Sequence, residues 1–255
     1  MDLRTAFIVS ALCCLACGSV VPRVETPEYL KLCTRYDPKI DECLKKRFQD
    51  LVPHLLTGEP ETGLPSLRDV RLSDTDFRRE IAADVEAGLS LGLSFLHDLE
   101  YVQVKSVKSD ITDSKVKMNV DLVFPKLHLE GYFRTNLGLN KMTFINEGTF
   151  NLSLVDVATT LAVSAKTYEK NGLKYLQVQH VRTRPDIGGA QLSARNQGDG
   201  YSTVVKVGAA IINKYWDALY SEYVPYLEEK WDVTLTDVVN KVLSRVPYDH
   251  LFPRA

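Results

Sequence analysis

The string Gly88-Leu89-Ser90-Leu91-Gly92 fits G-x-S-x-G, the pattern in which a serine rides a sharp strand-to-helix turn and becomes a nucleophile. That chemistry needs a strand before the serine, a helix after it, and a histidine and an acid arriving from later loops. Residues 82–93 show no strand–turn–helix break and read equally as helix or strand. Serine hydrolysis, with Ser90 as nucleophile and His180 or His250 as base, is therefore carried only as an alternative. The histidines at positions 54, 97, 128, 180 and 250 are too scattered for a local metal-ligand pattern. Gly198-Asp199-Gly200 lacks the third glycine and the strand–helix context of a nucleotide loop. The sequence thus assigns no catalytic residue, no metal and no cofactor, and the expectation is a protein that is not an enzyme.

Binding is what remains, and composition narrows it. The chain has 255 residues, 45% of them hydrophobic, and a formal charge of -2 with scattered Lys and Arg, so no phosphate-backbone footprint exists and nucleic acid is not expected. Residues 1–18 combine a charged start, an apolar run from Ala6 to Cys17 and small residues suited to signal peptidase, which is the layout of a secretion signal. Residues 19–255 are expected to form one domain, with no later segment apolar enough for stable membrane insertion. Removal of the leader leaves Cys33 and Cys43, which in an extracellular, oxidising compartment make one disulfide. Asn151-Leu152-Ser153 is a glycosylation sequon inside a strand-like run.

The elements that would build a binding site follow from periodicity. Ile40 to Leu56 reads as a helix, with Leu44, Phe48, Leu51 and Leu55 on one face and Pro53 near its end. From Leu99 onward the period drops to two: Val116, Met118, Val120, Leu122 and Phe124 alternate with Lys115, Lys117, Asn119 and Asp121. Further strands are expected at Leu127–Leu137, Lys141–Leu154, Val157–Tyr168 and Leu173–Thr183, with Asn171-Gly172 as a tight hairpin turn. A helix over Thr203–Tyr223 precedes a last one beginning near Pro225, whose Leu227, Trp231, Leu235, Val238, Val239, Val242, Leu243 and Val246 share a face. Helix, then sheet, then helices is the segregation of an α+β fold. The final helix needs an apolar surface, and the sheet is the one element large enough to supply it.

Several strings then resemble the takeout and juvenile hormone-binding protein family of insects. Cys33-Thr34-Arg35-Tyr36-Asp37-Pro38 with Cys43-Leu44, and Gly63-Leu64-Pro65-Ser66-Leu67, are similar to its N-terminal landmarks. Pro125-Lys126-Leu127-His128-Leu129-Glu130-Gly131-Tyr132, Asn171-Gly172-Leu173, Asn213-Lys214-Tyr215-Trp216 and Pro247-Tyr248-Asp249-His250-Leu251-Phe252-Pro253 resemble later ones. The resemblance spans nearly all of the mature chain, and the closing Pro-Tyr-Asp-x-Leu-Phe-Pro is its most specific piece. It implies a long C-terminal amphipathic helix wrapped by a strongly curved antiparallel β-sheet, enclosing a hydrophobic tunnel. The polar run Asn140–Gly148 and the lack of cysteines for a second disulfide favour the takeout-like branch.

The expected function is a secreted carrier, monomeric, whose one partner is a small hydrophobic ligand such as a juvenile hormone-like terpenoid, a fatty acid or another long-chain lipid. Its expected ligand-binding residues are Leu127, Leu129, Phe133, Phe150, Leu161, Val163, Leu176, Trp216, Trp231 and Leu235. A second alternative is a protein–protein regulatory module with the same fold and a filled core.

Overall fold

Helix α1 (Ile40–Thr57) forms where the sequence repeats apolar residues every three or four positions, and it buries Leu44 completely. The computed structural model describes residue 30 and residues 32–58, 66–68, 70–82, 85–139, 142–197 and 202–254. The expected leader at 1–18, Gly63–Pro65 and Gly198–Gly200 lie outside the described residues. Asp41, in the first turn of α1, accepts hydrogen bonds from the Ser109 backbone N–H (2.9 Å) and hydroxyl (2.6 Å), fixing the helix to strand β4 (Gln103–Ile111). Cys33 and Cys43 are joined, as expected, stapling the segment before α1 to its first turn. Closing so short a loop removes chain entropy worth about 2–3 kcal/mol. A Cys33→Ser/Cys43→Ser variant is expected to lose that much in denaturant unfolding.

The remaining strands are β1 (Val70–Arg71), β2 (Thr75–Ala82), β3 (Val85–His97), β5 (Lys115–Leu139), β6 (Met142–Lys170), β7 (Leu173–Arg182) and β8 (Asp186–Asn196). Among the described residues they form one antiparallel sheet whose spine is the pair β5–β6, in register from Lys115↔Lys166 to Leu139↔Met142. Strands β3 and β4 share one edge of that pair, and β7 and β8 share the other. Asn171 (φ 52°) and Gly172 (φ 74°) make the expected tight turn between β6 and β7.

Alternation alone suggested four separate strands where β5 and β6 run unbroken, because the in/out phase slips halfway along. On β5 the buried residues are Val116, Met118 and Val120 before Pro125, but Leu127 and Phe133 after it. Across the sheet the slip falls at Asp156 (φ 52°) on β6 and at Gly188 on β8, where a side chain would sit 2.8 Å from the Asp156 Cβ. The stretch 82–93, ambiguous in the sequence, falls mainly in β3 (Val85–His97), and β2 was not expected at all.

The two halves of the sheet carry different loads. At the β4–β7 end Leu44, Val107, Val116, Val178, Val242 and Phe252 belong to one closed apolar core. The final helix is α2 (Ser202–Leu243), a 42-residue element that runs through the expected break at Pro225 and kinks at Tyr215 (φ -119°) instead. Pro225 is tolerated because the helix is anchored on both sides of it. The Tyr220 hydroxyl donates to the Pro185 carbonyl (2.5 Å), and Asp232 accepts from the Val181 N–H (2.8 Å). A short helix α3 (Tyr248–Leu251) closes the chain onto the core.

Candidate functional site

Directly paired residues on antiparallel strands share a face, so the register defines the inner surface of the β3–β8 half. Phe77 pairs with Leu89, Leu89 with Thr135, and Thr135 with Asn146. Phe77 also stacks edge-on with Tyr223 and Tyr226 of α2, at 5.5 Å between ring centroids in each case. Beside it Arg79 reaches Glu222 at 3.0 Å. The helix is held from the opposite edge by Asn213, whose amide accepts from the Leu192 N–H (2.6 Å) and donates to the Leu192 carbonyl (2.9 Å) on β8. The sheet therefore stays open as a sheet, curls until its β2 and β8 edges both meet α2, and leaves a trough between its inner face and the helix.

The floor of this trough is apolar. Phe150 pairs with Gly131 and Phe133 with Gly148, and each ring lies over the partner strand's glycine. A side chain built on Gly131 would fall 2.6 Å from the Ser94 hydroxyl and 3.1 Å from Phe150, and one on Gly148 would run into the Arg195 carbonyl oxygen and fall 2.9 Å from Phe133, so the neighbouring strand as well as the rings requires glycine. Leu127, Leu129, Phe133 and Phe150 of the expected ligand residues lie together on this face. On α2 the sheet-contacting stripe holds Asn213, Trp216, Tyr220 and Val224, while Val204, Val207 and Ile211, each more than half exposed, lie on the opposite side of the helix.

The other expected residues lie elsewhere. Leu176 is part of the closed core, with Leu161, Val163 and Leu235 packed against it. Trp216 and Trp231 are half-buried on α2, the first between Asn213 and Tyr220 and the second beside Asp232. Phe77, Leu89, Leu152 and Tyr223 belong to the trough and were missed, although Leu89 and Leu91 of the G-x-S-x-G string already show the alternation of a one-sided strand. That string is mid-strand in β3, with Ser90 opposite Asp76 and Arg134, so the turn that exposes a nucleophile is not there. His180 aligns with β6 seventeen positions from the row containing Ser90, about 55 Å of strand.

Asn213 is one of three amides that complete free sheet edges. Asn240 of α2 accepts from the Val178 N–H (2.8 Å) and donates to its carbonyl (2.9 Å) on β7. Gln49 of α1 accepts from the Val104 N–H (2.8 Å) and donates to the Val102 carbonyl (3.2 Å). Each side chain presents one donor and one acceptor, as a neighbouring strand would, and blocks edge-to-edge association. Asp232 adds a charged version: burial pushes its carboxyl up, but hydrogen bonds from His180, the Val181 N–H and Thr236 outweigh that and hold it below the usual range. In Asn240→Ala the Val178 amide is expected to lose exchange protection, with a stability loss of about 1–3 kcal/mol.

A cleft of ≈ 510 Å³ opens beside the middle of α2, lined by Asn119, Thr160, Arg182, Arg184, Glu228 and Asp232 among others. Its lining mixes these charged side chains with Ala162, Thr183 and Pro225, and it lies apart from the Leu127–Phe133 face of β5. Among the described residues no three His, Cys, Asp or Glu are placed to hold a metal ion, and no helix is long and apolar enough to cross a membrane.

A sheet of this build, under a long C-terminal helix, has a counterpart among known families. Residues 8–253 match the family described as haemolymph juvenile hormone binding protein (JHBP). The chain belongs to this family. It is 21% identical over 233 residues to the circadian clock-controlled protein daywake of Drosophila melanogaster, covering 89% of this chain and 88% of that one. Takeout 1 of Epiphyas postvittana, solved by crystallography, superposes with a TM-score of 0.69 at 18% identity, over 88% of this chain and 99% of that one. The likeness confirms the fold: a large open antiparallel sheet with a long C-terminal helix.

In this JHBP-family chain the two most distinctive strings meet in space. The Leu32 N–H donates to the Leu251 carbonyl (2.9 Å) and the Arg35 N–H to the Pro253 carbonyl (3.0 Å). The Arg35 guanidinium, fully buried, bonds Asp249, Asp113 and the Phe252 carbonyl and lies 4.2 Å from the centre of the Tyr248 ring. Burial pushes the Tyr248 hydroxyl up to about 12, and it donates to the Thr112 carbonyl at 2.6 Å. These motifs lock the two chain ends to the core and take no part in the trough.

Proposed function

We propose that the protein is a secreted, monomeric carrier that holds one long-chain hydrophobic molecule in the trough between the β3–β8 half of the sheet and the first half of α2. The observation that carries this reading is the apolar face that β5 and β6 present inside the curl, where Phe133, Phe150, Leu129 and Leu152 lie together beneath a helix tied to both sheet edges. The name of the family and of its haemolymph carriers agrees with it, as do the leader-like residues 1–18 and the Cys33–Cys43 disulfide, which suit an extracellular protein. Leu161, Val163, Leu176 and Leu235 then serve the core that fixes α2, and the trough residues contact the guest.

Enclosing about 16 carbons at roughly 0.8 kcal/mol each gives about 13 kcal/mol, and at least about 4 is spent on association, which leaves micromolar or tighter binding. Protein secreted from animal cells is expected to show extra mass in native mass spectrometry that solvent extraction removes. Uniformly empty protein that takes up no added lipid would end the proposal. The same fold acting as a regulator with a filled interior predicts that empty state.

A further inference from the structure

Apart from Arg79 at the β2 rim, the inner face of the sheet carries no charge among the described residues. Among the described residues, the positions of β3, β5, β6 and β8 that share a face with Phe133 are aliphatic, aromatic or glycine, apart from Ser94, Thr135, Asn146 and Asn196. Ser94 is spent inside the β3 bulge, donating to the Gly92 carbonyl. Asn146 is different: its Oδ1 is buried and accepts no hydrogen bond. It sits two positions from Phe144 on β6 and directly across from Thr135 on β5, so an amide carbonyl and a hydroxyl share one spot on an otherwise oily wall.

A buried carbonyl without a donor has given up its hydration for nothing, and it gains most from a guest that brings a donor. A carboxylate has no hydrogen to offer the Asn146 Oδ1. It would arrive as a second acceptor, and the basic group on this face, Arg79 at the β2 rim, is already held by Glu222 at 3.0 Å. Uncharged hydrocarbon chains with a hydroxyl or primary amide at one end satisfy both requirements.

We propose that this trough selects uncharged long-chain lipids whose head group donates a hydrogen bond, alcohols or primary amides, and that Asn146, with Thr135, receives the head. The inference rests on the carrier reading and narrows it. It also orients the guest, head toward the Asn146–Thr135 pair and tail along Phe133, Phe150 and Leu152 toward Leu127.

The test is displacement of a polarity-sensitive naphthylamine dye from the delipidated full-length secreted protein by hexadecanol, methyl palmitate and palmitate at about pH 8, where a carboxylate is ionised. Hexadecanol is expected to compete about tenfold better than methyl palmitate, which only accepts, and better still than palmitate. In Asn146→Leu the alcohol should fall to the level of the ester while the ester is unchanged, and Thr135→Val should take away part of the preference. Palmitate matching hexadecanol, or an alcohol preference intact in Asn146→Leu, overturns the assignment. Failure of all three lipids to displace bound dye overturns the carrier reading itself, and the inference with it.

Discussion

Exchange of Leu129 and Leu152, which pair across β5 and β6, for aspartate is expected to weaken lipid binding at least about a hundredfold. Both side chains are half-buried and lie outside the closed core, so the substitutions cost about 1–3 kcal/mol in stability and leave the fold in place. With a guest in the trough the same positions lie against hydrocarbon. A carboxylate there must shed water without gaining a partner, and several kcal/mol of that cost appears as lost affinity. Thermal unfolding should remain cooperative and lipid displacement should be absent. Unchanged lipid affinity in the double variant would place the guest elsewhere.

Arg35→Met is expected to have the largest effect on stability, about 2–4 kcal/mol. The guanidinium is wholly buried, whereas its carboxylate partners Asp113 and Asp249 are about half exposed, so the ion pairs themselves are partly screened and count for less than a buried pair would. Most of the loss comes from the Phe252 carbonyl left without its donor, from the cation over the Tyr248 ring and from the untying of the C-terminal segment. The urea midpoint should fall by about 1 M or more. Acid should reproduce part of this in the wild type. Hydrogen bonds from Arg35 and Tyr36 hold the Asp113 carboxyl below its usual range, so its contribution is complete above about pH 4 and disappears as the pH drops through the lower folded value. In Arg35→Met that acid-sensitive component should be largely gone, and an unaltered acid profile would show that the bond carries little.

The two effects separate roles that look alike in the chain. Cys33-Thr34-Arg35-Tyr36-Asp37-Pro38 and the closing Pro-Tyr-Asp-x-Leu-Phe-Pro are the most recognisable strings, and they build an anchor. The residues of the trough carry no comparable signature, because an apolar lining can be made from many combinations of leucine, valine and phenylalanine. Motif strength in this chain marks where polar groups must meet at fixed geometry.

Local sequence determined the elements: apolar repeats set α1 and the two helical stretches that join in α2, period-two alternation set the antiparallel strands, Asn171-Gly172 set a turn, and Cys33 and Cys43 set the disulfide. It also placed Leu127, Leu129, Phe133 and Phe150 on one face, since between Pro125 and Asp156 nothing interrupts the pleat. Which face of the sheet each half turns inward was decided by tertiary structure, through the phase slip at Pro125, Asp156 and Gly188, because a single irregular residue exchanges every later side chain between the two faces. The continuity of α2 through Pro225 was decided the same way, by anchors at Pro185 and Val181 that are remote in sequence. So were the amide caps on the sheet edges and the division into a closed core and an open trough: each depends on which edges and faces come together, and that is settled by long-range packing.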